Sequence, residues 1–415
     1  MAIRTFCTFI ALGVFATSAA AQALSLGEAQ RRAVARSLQL AGQDAAVIAS
    51  REMAVAAGQL PDPVLKLGID NLPIDGPDRF SVSRDFMTMR RIGVSQEFTR
   101  GTKRALRSER FEREADKSLA EKAARLAAIQ RDTALAWLDR YYVEAMAAVI
   151  AEQSREAGRE IIAAEGAYRG GRGSQADLIA AHAARVALED KASELRRRIS
   201  VAKINLTRWM GDGADLPLAD KPRTDTVHLD ANNLEAHLLL HPQIEVLTRQ
   251  EEVAAAEVRI AQANKTVDWS VEFAYQQRGP LYSNMVSIGV AIPIQWDQRN
   301  RQDREVAAKL ALAQQAKAER EEALRAHVGE VRAMIAEWQN DKERVSRYVR
   351  ELVPLSRERT RASLAAYSGG KATLAELLLA RRNEIDVRLQ TIQLESETAR
   401  LWAQLEYLMP EAVQK

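Results

Sequence analysis

Four short stretches of the chain alternate apolar and polar side chains. In the clearest, Trp269, Val271, Phe273 and Tyr275 alternate with Ser270, Glu272, Ala274 and Gln276. A little further on, Val286, Ile288, Val290 and Ile292 alternate with Ser287, Gly289 and Ala291. An earlier pair is noisier. Leu65, Leu67 and Ile69 alternate with Lys66, Gly68 and Asp70, and Ile92 and Val94 carry a returning segment. A period of two puts one apolar face on a strand, so strands are predicted at about 63–71, 88–98, 268–277 and 285–294. Pro61 and Pro63 mark the entry to the first strand, and Pro293 the exit from the last.

The rest of the chain has helical spacing. Single helices are predicted over about 26–59 and about 231–264, each ahead of a strand pair. A very long helix then runs from about Lys103 to Tyr168 without a proline. In it Leu135, Leu138, Tyr142, Met146 and Val149 follow three-and-four spacing. Leu324, Val328, Val331, Ile335 and Trp338 do the same later. This is a coiled-coil stripe with charged flanks. About 65 residues at about 1.5 Å each give a rod of roughly 100 Å. Returning helices are predicted over about 174–209 and 373–409, and Pro354 should kink the second long helix.

The pattern is written twice. Tyr168-Arg-Gly-Gly-Arg-Gly-Ser174 recurs as Tyr367-Ser-Gly-Gly-Lys-Ala-Thr373, and Asp177-Leu178 recurs as Glu376-Leu377. Ile92-Gly-Val94 matches Ile288-Gly-Val290, and Leu206 to Met210 matches Leu405 to Met409. Two similar halves follow, about 22–212 and 231–412, joined by a Gly-, Asp- and Pro-rich connector at about 213–230.

Composition narrows the function. With 59 Lys plus Arg against 56 Asp plus Glu, the net charge is only +3, and the charges are interleaved. No polyanion-binding arm is present, so nucleic acid is not an expected partner. The aromatic share of 5% argues against several thick globular cores. At the start, Arg4, the apolar run Phe6 to Ala16 and Ala19-Ala20-Ala21 read as a signal peptide over 1–21. The only cysteine, Cys7, lies inside that run, so no lipoprotein cleavage site and no lipidation are expected. No later stretch approaches twenty apolar residues.

An exported chain with one-sided apolar strands and no spanning helix suits an outer-membrane β-barrel. Four strands cannot close one, since about eight is the smallest membrane barrel. Three copies would supply twelve strands. The expected fold is therefore mainly α with a small β part. It is a twofold internal repeat of long coiled-coil helices, closing as a trimeric twelve-stranded barrel with an α-helical tunnel.

With that organisation in view, the chain resembles the TolC-type outer-membrane efflux proteins. The resemblance covers nearly the whole mature chain. It rests on the repeat, on strand pairs flanked by long helices, on the glycine turns after Ala167-Tyr168 and Ala366-Tyr367, and on Gly289-Val-Ala-Ile-Pro-Ile294. Leu60-Pro-Asp-Pro-Val-Leu65, Gly68-Ile-Asp-Asn-Leu72, Gln96-Glu-Phe98 and Gly101-Thr-Lys-Arg104 are most similar to the heavy-metal branch, which serves cobalt, zinc, cadmium, copper or silver. The resemblance implies a homotrimer in the outer membrane of a Gram-negative bacterium, with most of the chain in the periplasm. It implies a passive, gated exit duct rather than an enzyme, without cofactors. It implies two partners besides lipid: a periplasmic adaptor and an inner-membrane resistance-nodulation-division pump. A duct for drugs or other small molecules, and a periplasmic adaptor or coiled-coil protein, are the alternative readings.

Candidate functional residues sit at the glycine turns. Gly170, Gly171, Gly173, Gly369 and Gly370 allow positive φ at a tight helix–helix turn. Together with Tyr168, Ser174, Tyr367 and Thr373 they are the tips the resemblance assigns to adaptor docking. Ser174-x-x-Asp177 and Thr373-x-x-Glu376 read as capping boxes. Threefold symmetry would also gather Asp177 and Glu376 into a ring of carboxylates that attracts cations. His237 and His241 share a helical face at i, i+4, but Leu238 to Leu240 fill the gap and no metal site is expected. Met87 and Met89 could touch soft cations or pack against lipid. No nucleophile, base and orienting residue stand together in the sequence. Trp137, Trp209, Trp338 and Trp402 read as helix-packing residues. Trp269, Phe273, Tyr275 and Tyr282 read as interfacial aromatics.

Overall fold

The computed structural model describes residues 23–171, 173–229 and 233–409. The signal peptide and the Cys7 reading lie outside them. The elements run α1 (Leu26–Ala35), α2 (Leu38–Ala57), β1 (Val64–Asp70), β2 (Met89–Phe98), α3 (Gly101–Arg169), α4 (Gln175–Met210), α5 (Leu234–Leu239) and α6 (Pro242–Ala263). They continue with β3 (Trp269–Gln277), β4 (Met285–Ala291), α7 (Gln302–Arg347), a π-helical turn (Tyr348–Leu352), α8 (Val353–Ser368) and α9 (Leu374–Glu406).

The strands fall within about a residue of their expected places, except that β4 stops at Ala291. Pro293 has no N–H to extend the ladder. Both single helices expected ahead of the strand pairs are in fact two. Ser37 stops α1 and caps α2, its Oγ accepting the Leu40 N–H at 3.3 Å. His241, held extended ahead of Pro242, separates α5 from α6. Just ahead of Pro354 the second long helix passes through a π turn: the N–H of Val353 reaches back to the carbonyl of Tyr348.

Two compact units are formed, and each takes segments from early, middle and late in the chain. One comprises residues up to Arg36, Asp132–Thr224 and Lys342–Arg400. In its core Val143, Met146 and Ile150 of α3 pack with Leu188 and Leu195 of α4 and Ile385 of α9. Of the expected stripe, Leu138, Tyr142, Met146 and Val149 are buried and Leu135 is half-buried. Its connector is strapped to α3. The buried Arg140 guanidinium donates to the carbonyls of Ala214 and Leu216 and pairs with Glu144. Trp137 Nε1 donates to the Leu24 carbonyl at 3.1 Å, and Leu24 bridges Leu218.

The other unit comprises Ser37–Arg131, Asp225–Asp341 and the residues from Leu401 on. It holds the sheet, which is antiparallel throughout in the order β1-β2-β3-β4. The pairing of Phe98 with Trp269 and of Arg90 with Gln277 joins the two hairpins into one sheet. Lys103 of α3 fixes the entry to β3, donating to Asp268 Oδ2 at 2.7 Å and to the Thr266 carbonyl at 2.6 Å.

Candidate functional site

The sheet has two unlike faces. Leu65, Leu67, Ile69, Ile92, Val94, Trp269, Phe273, Tyr275, Val286, Ile288 and Val290 share one, and all are exposed, Ile288 at 73% and Leu67 at 71%. Phe98 and Trp269 stack at one end of this face with ring centroids 4.7 Å apart. The other face is polar. Lys66 Nζ lies 2.6 Å from Glu272 Oε2, and Arg91 pairs with both Glu272 and, at 3.8 Å, Asp70. Gly93 sits within this network opposite Ala274. A Cβ on Gly93 would come within 2.9 Å of the Ala274 Cβ, where ordinary cross-strand partners stand about 4.5–5.5 Å apart. Only glycine fits at this close approach of the two strands. Among the described residues its outer strands β1 and β4 carry no partner on their far edges.

A contiguous apolar face of this size is unusual on a protein surrounded by water. Among the described residues no helix is long and apolar enough to cross a membrane.

The two glycine turns are brought together in the first unit. Ile161 and Ala164 of α3, Ala181 of α4 and Leu374 and Leu377 of α9 form one cluster, against which Tyr367 packs. Gly171 (φ 69°) and Gly370 (φ 71°) take the left-handed conformation. Gly369, with φ −82°, does not. Gly173 is small for another reason, since a Cβ there would meet Ala167 and Tyr168 at 3.2 Å. Tyr168 stays exposed.

Both acids cap helices. Asp177 accepts from the Ser174 amide at 3.0 Å and from its hydroxyl at 2.7 Å, and the Asp177 amide returns a bond to Ser174 Oγ at 3.1 Å. The Ser174 hydroxyl and then its amide hold this carboxyl below the usual carboxylate range. Glu376 accepts from the Thr373 amide at 2.8 Å and donates its own amide to Thr373 Oγ1 at 3.3 Å. Beside the turns, a groove of about 540 Å³ opens between α3, α4 and α9, floored by Ala183, Ala184, Ala187 and Ile385. Helix α4 also carries apolar residues away from its core. Ile179, Val186, Val201 and Ile204 are exposed, whereas Ala181, Leu188, Leu195 and Ala202 are buried on the opposite side.

His237 and His241 do not belong to one helix, because α5 ends at Leu239 and His241 caps α6. His241 instead meets His327 of α7, with ring centroids 4.3 Å apart. Nothing local in the sequence signals that contact. Met87 is exposed and Met89 half-buried on the polar face, and no group of three or more potential metal ligands occurs among the described residues. Trp137, Trp338 and Trp402 are buried in helix packing and Trp209 is half-buried. The Arg140 strap was not legible either, since an arginine within a charged helix reads as a solvated one.

Long helical hairpins together with a four-stranded sheet whose one face is mainly apolar make the fold of a class of outer-membrane channel proteins. The outer-membrane channel OprN matches with a TM-score of 0.76 at 16% identity, over 94% of this chain and 91% of that one. CusC, described for its transmembrane channel formation, matches at 0.77 and 16% identity over 92% and 91%. The outer-membrane protein VceC of Vibrio cholerae matches at 0.74 and 18% identity over 92% and 95%. No family model and no curated protein matches the chain. At these identities the likeness is one of fold, and it is the fold expected from the TolC-type resemblance.

Proposed function

We propose that this chain is the outer-membrane exit duct of a tripartite efflux system, conducting its cargo passively outward. The observation that carries the reading is the sheet, with one face of exposed apolar side chains, the other polar, and two open edges. Open edges in lipid leave backbone groups unpaired at several kcal/mol each. Pairing β4 of one copy with β1 of the next, three times over, removes them and turns the polar network of Lys66, Arg91 and Glu272 toward the lumen. The exposed stripe on α4 supports the same assembly, offering a second packing face to a neighbouring copy. The two sequence halves are then two copies of one duct-forming unit.

In this reading an inner-membrane resistance-nodulation-division pump supplies the energy, and a periplasmic adaptor grips the turns at Gly171 and Gly370 and the alanine-floored groove beside them. Asp177 and Glu376 cap their helices and also line the closed end as a carboxylate ring. The sequence resemblance to the heavy-metal branch assigns divalent or soft heavy-metal cations as the cargo.

The test is the mass and conductance of the extracted protein in a planar bilayer. The expected result is a trimer with a small cation-selective leak, and that leak loses selectivity in the Asp177→Asn, Glu376→Gln double variant. A water-soluble monomer without conductance would overturn the duct. Unchanged selectivity in the double variant would overturn the gating ring alone. Cargo is read separately, as accumulation of zinc, copper or silver in cells lacking the chain.

A further inference from the structure

His241 occupies a position that suits a neutral imidazole and not a charged one. It is the N-cap of α6, and its Nδ1 accepts the amide N–H of Gln243 at 3.3 Å. Its ring is 6% exposed and also hydrogen-bonds the backbone of Leu408, just beyond α9. From α7, His327 lies against it with ring centroids 4.3 Å apart at 50°, and the Nε2 of His327 is buried without a hydrogen-bond partner. From α3, Arg131 adds a positive charge. The acid on this side is Glu330, 3.6 Å from His327 Nδ1 and largely exposed, so it acts on the far side of the pair. Four segments of the second unit meet at this ring: the start of α6, α7, α3 and the chain beyond α9.

We propose that the His241–His327 contact is an acid-sensitive latch, whose protonation releases the first turn of α6 from the segments packed on it. A proton on Nδ1 removes the acceptor that caps Gln243, and the new charge faces His327 and Arg131. The duct reading is not needed for this inference.

Burial, and after it the charges of His327 and Arg131, push His241 down to about 4, with the Leu408 backbone pulling the other way. An exposed histidine titrates near 6.5. Between those values the opened form takes a proton that the closed form refuses. The latch is therefore at full strength above pH 6.5 and weakens as the pH falls toward 4. From pH 7.5 to 5 the opened population rises roughly 30-fold.

Hydrogen exchange on the full chain in detergent tests this, at pH 7.5 and pH 5 after correction for intrinsic exchange. Protection at Gln243 and Ile244 is expected to fall roughly 30-fold, while amides around Leu394 in α9 hold. His241→Asn keeps a good capping group but cannot titrate, and its protection is expected to be the same at both pH values. His327→Gln removes the facing imidazole and is expected to shrink the fall. No fall in the native chain, or an equal fall in His241→Asn, overturns the latch. An undiminished fall in His327→Gln overturns the pairing as its cause.

Discussion

The two long arms of the molecule are nearly equal in length and unlike in construction. Helix α3 runs 69 residues without a break. Its counterpart is assembled from the 46 residues of α7, a 5-residue π turn and the 16 residues of α8. Along α3, Trp137, Leu138, Tyr142 and Ile150 are almost wholly buried, and Arg140 straps the connector onto it. In α7 the buried residues are Val306, Ala316, Val331, Trp338 and Asp341, and in α8 only Thr360. One proline accounts for the break. Pro354 has no N–H for the carbonyl four residues back, so the backbone widens by one residue to find a partner. The lesson is that one arm is a strut and the other contains a joint, although their apolar spacing is alike.

The largest effect is expected from moving the joint into the strut. Arg155 lies 199 residues before Pro354 and is exposed, so Arg155→Pro changes little but the backbone. It is expected to cost about 3 kcal/mol or more, read as a shifted denaturation midpoint of the full chain in detergent. A smaller loss should follow from cutting the strap. Arg140→Met leaves the carbonyls of Ala214 and Leu216 without their donor, at about 2 kcal/mol in the same assay. Least of all, and of opposite sign, Pro354→Ala should let the π turn close into regular helix. A gain of about 1–2 kcal/mol is expected, with slower amide exchange across Tyr348–Leu352. Equal midpoints for Arg155→Pro and the native chain would show that the two arms do not differ as described.

How much of this could be read from the sequence depends on the range of the interaction. The strands were legible because a one-sided sheet imposes a period of two, and Trp269 to Gln276 displays it plainly. The long helices and both glycine turns were legible for the same local reasons. The turns also show the limit, because a run of glycines does not say which one bends, and Gly370 does where Gly369 does not. The break at Ser37 had a weak signal, a capping serine without an acid three residues on. The break before Pro242 has a strong one, the proline itself, set against an unbroken apolar pattern. The His241–His327 contact and the Arg140 strap join residues far apart in sequence, and periodicity carries no trace of such pairs.

Each compact unit draws on residues before Arg131, on the middle of the chain and on residues beyond Asp341. Neither can be completed while the last stretch of the polypeptide is still being made. The first half, emerging alone, has half a sheet and half a helical bundle, with apolar faces waiting for partners some two hundred residues away. Such a chain does not mature piecemeal from its amino terminus. Its fold is completed late, as its final helix arrives.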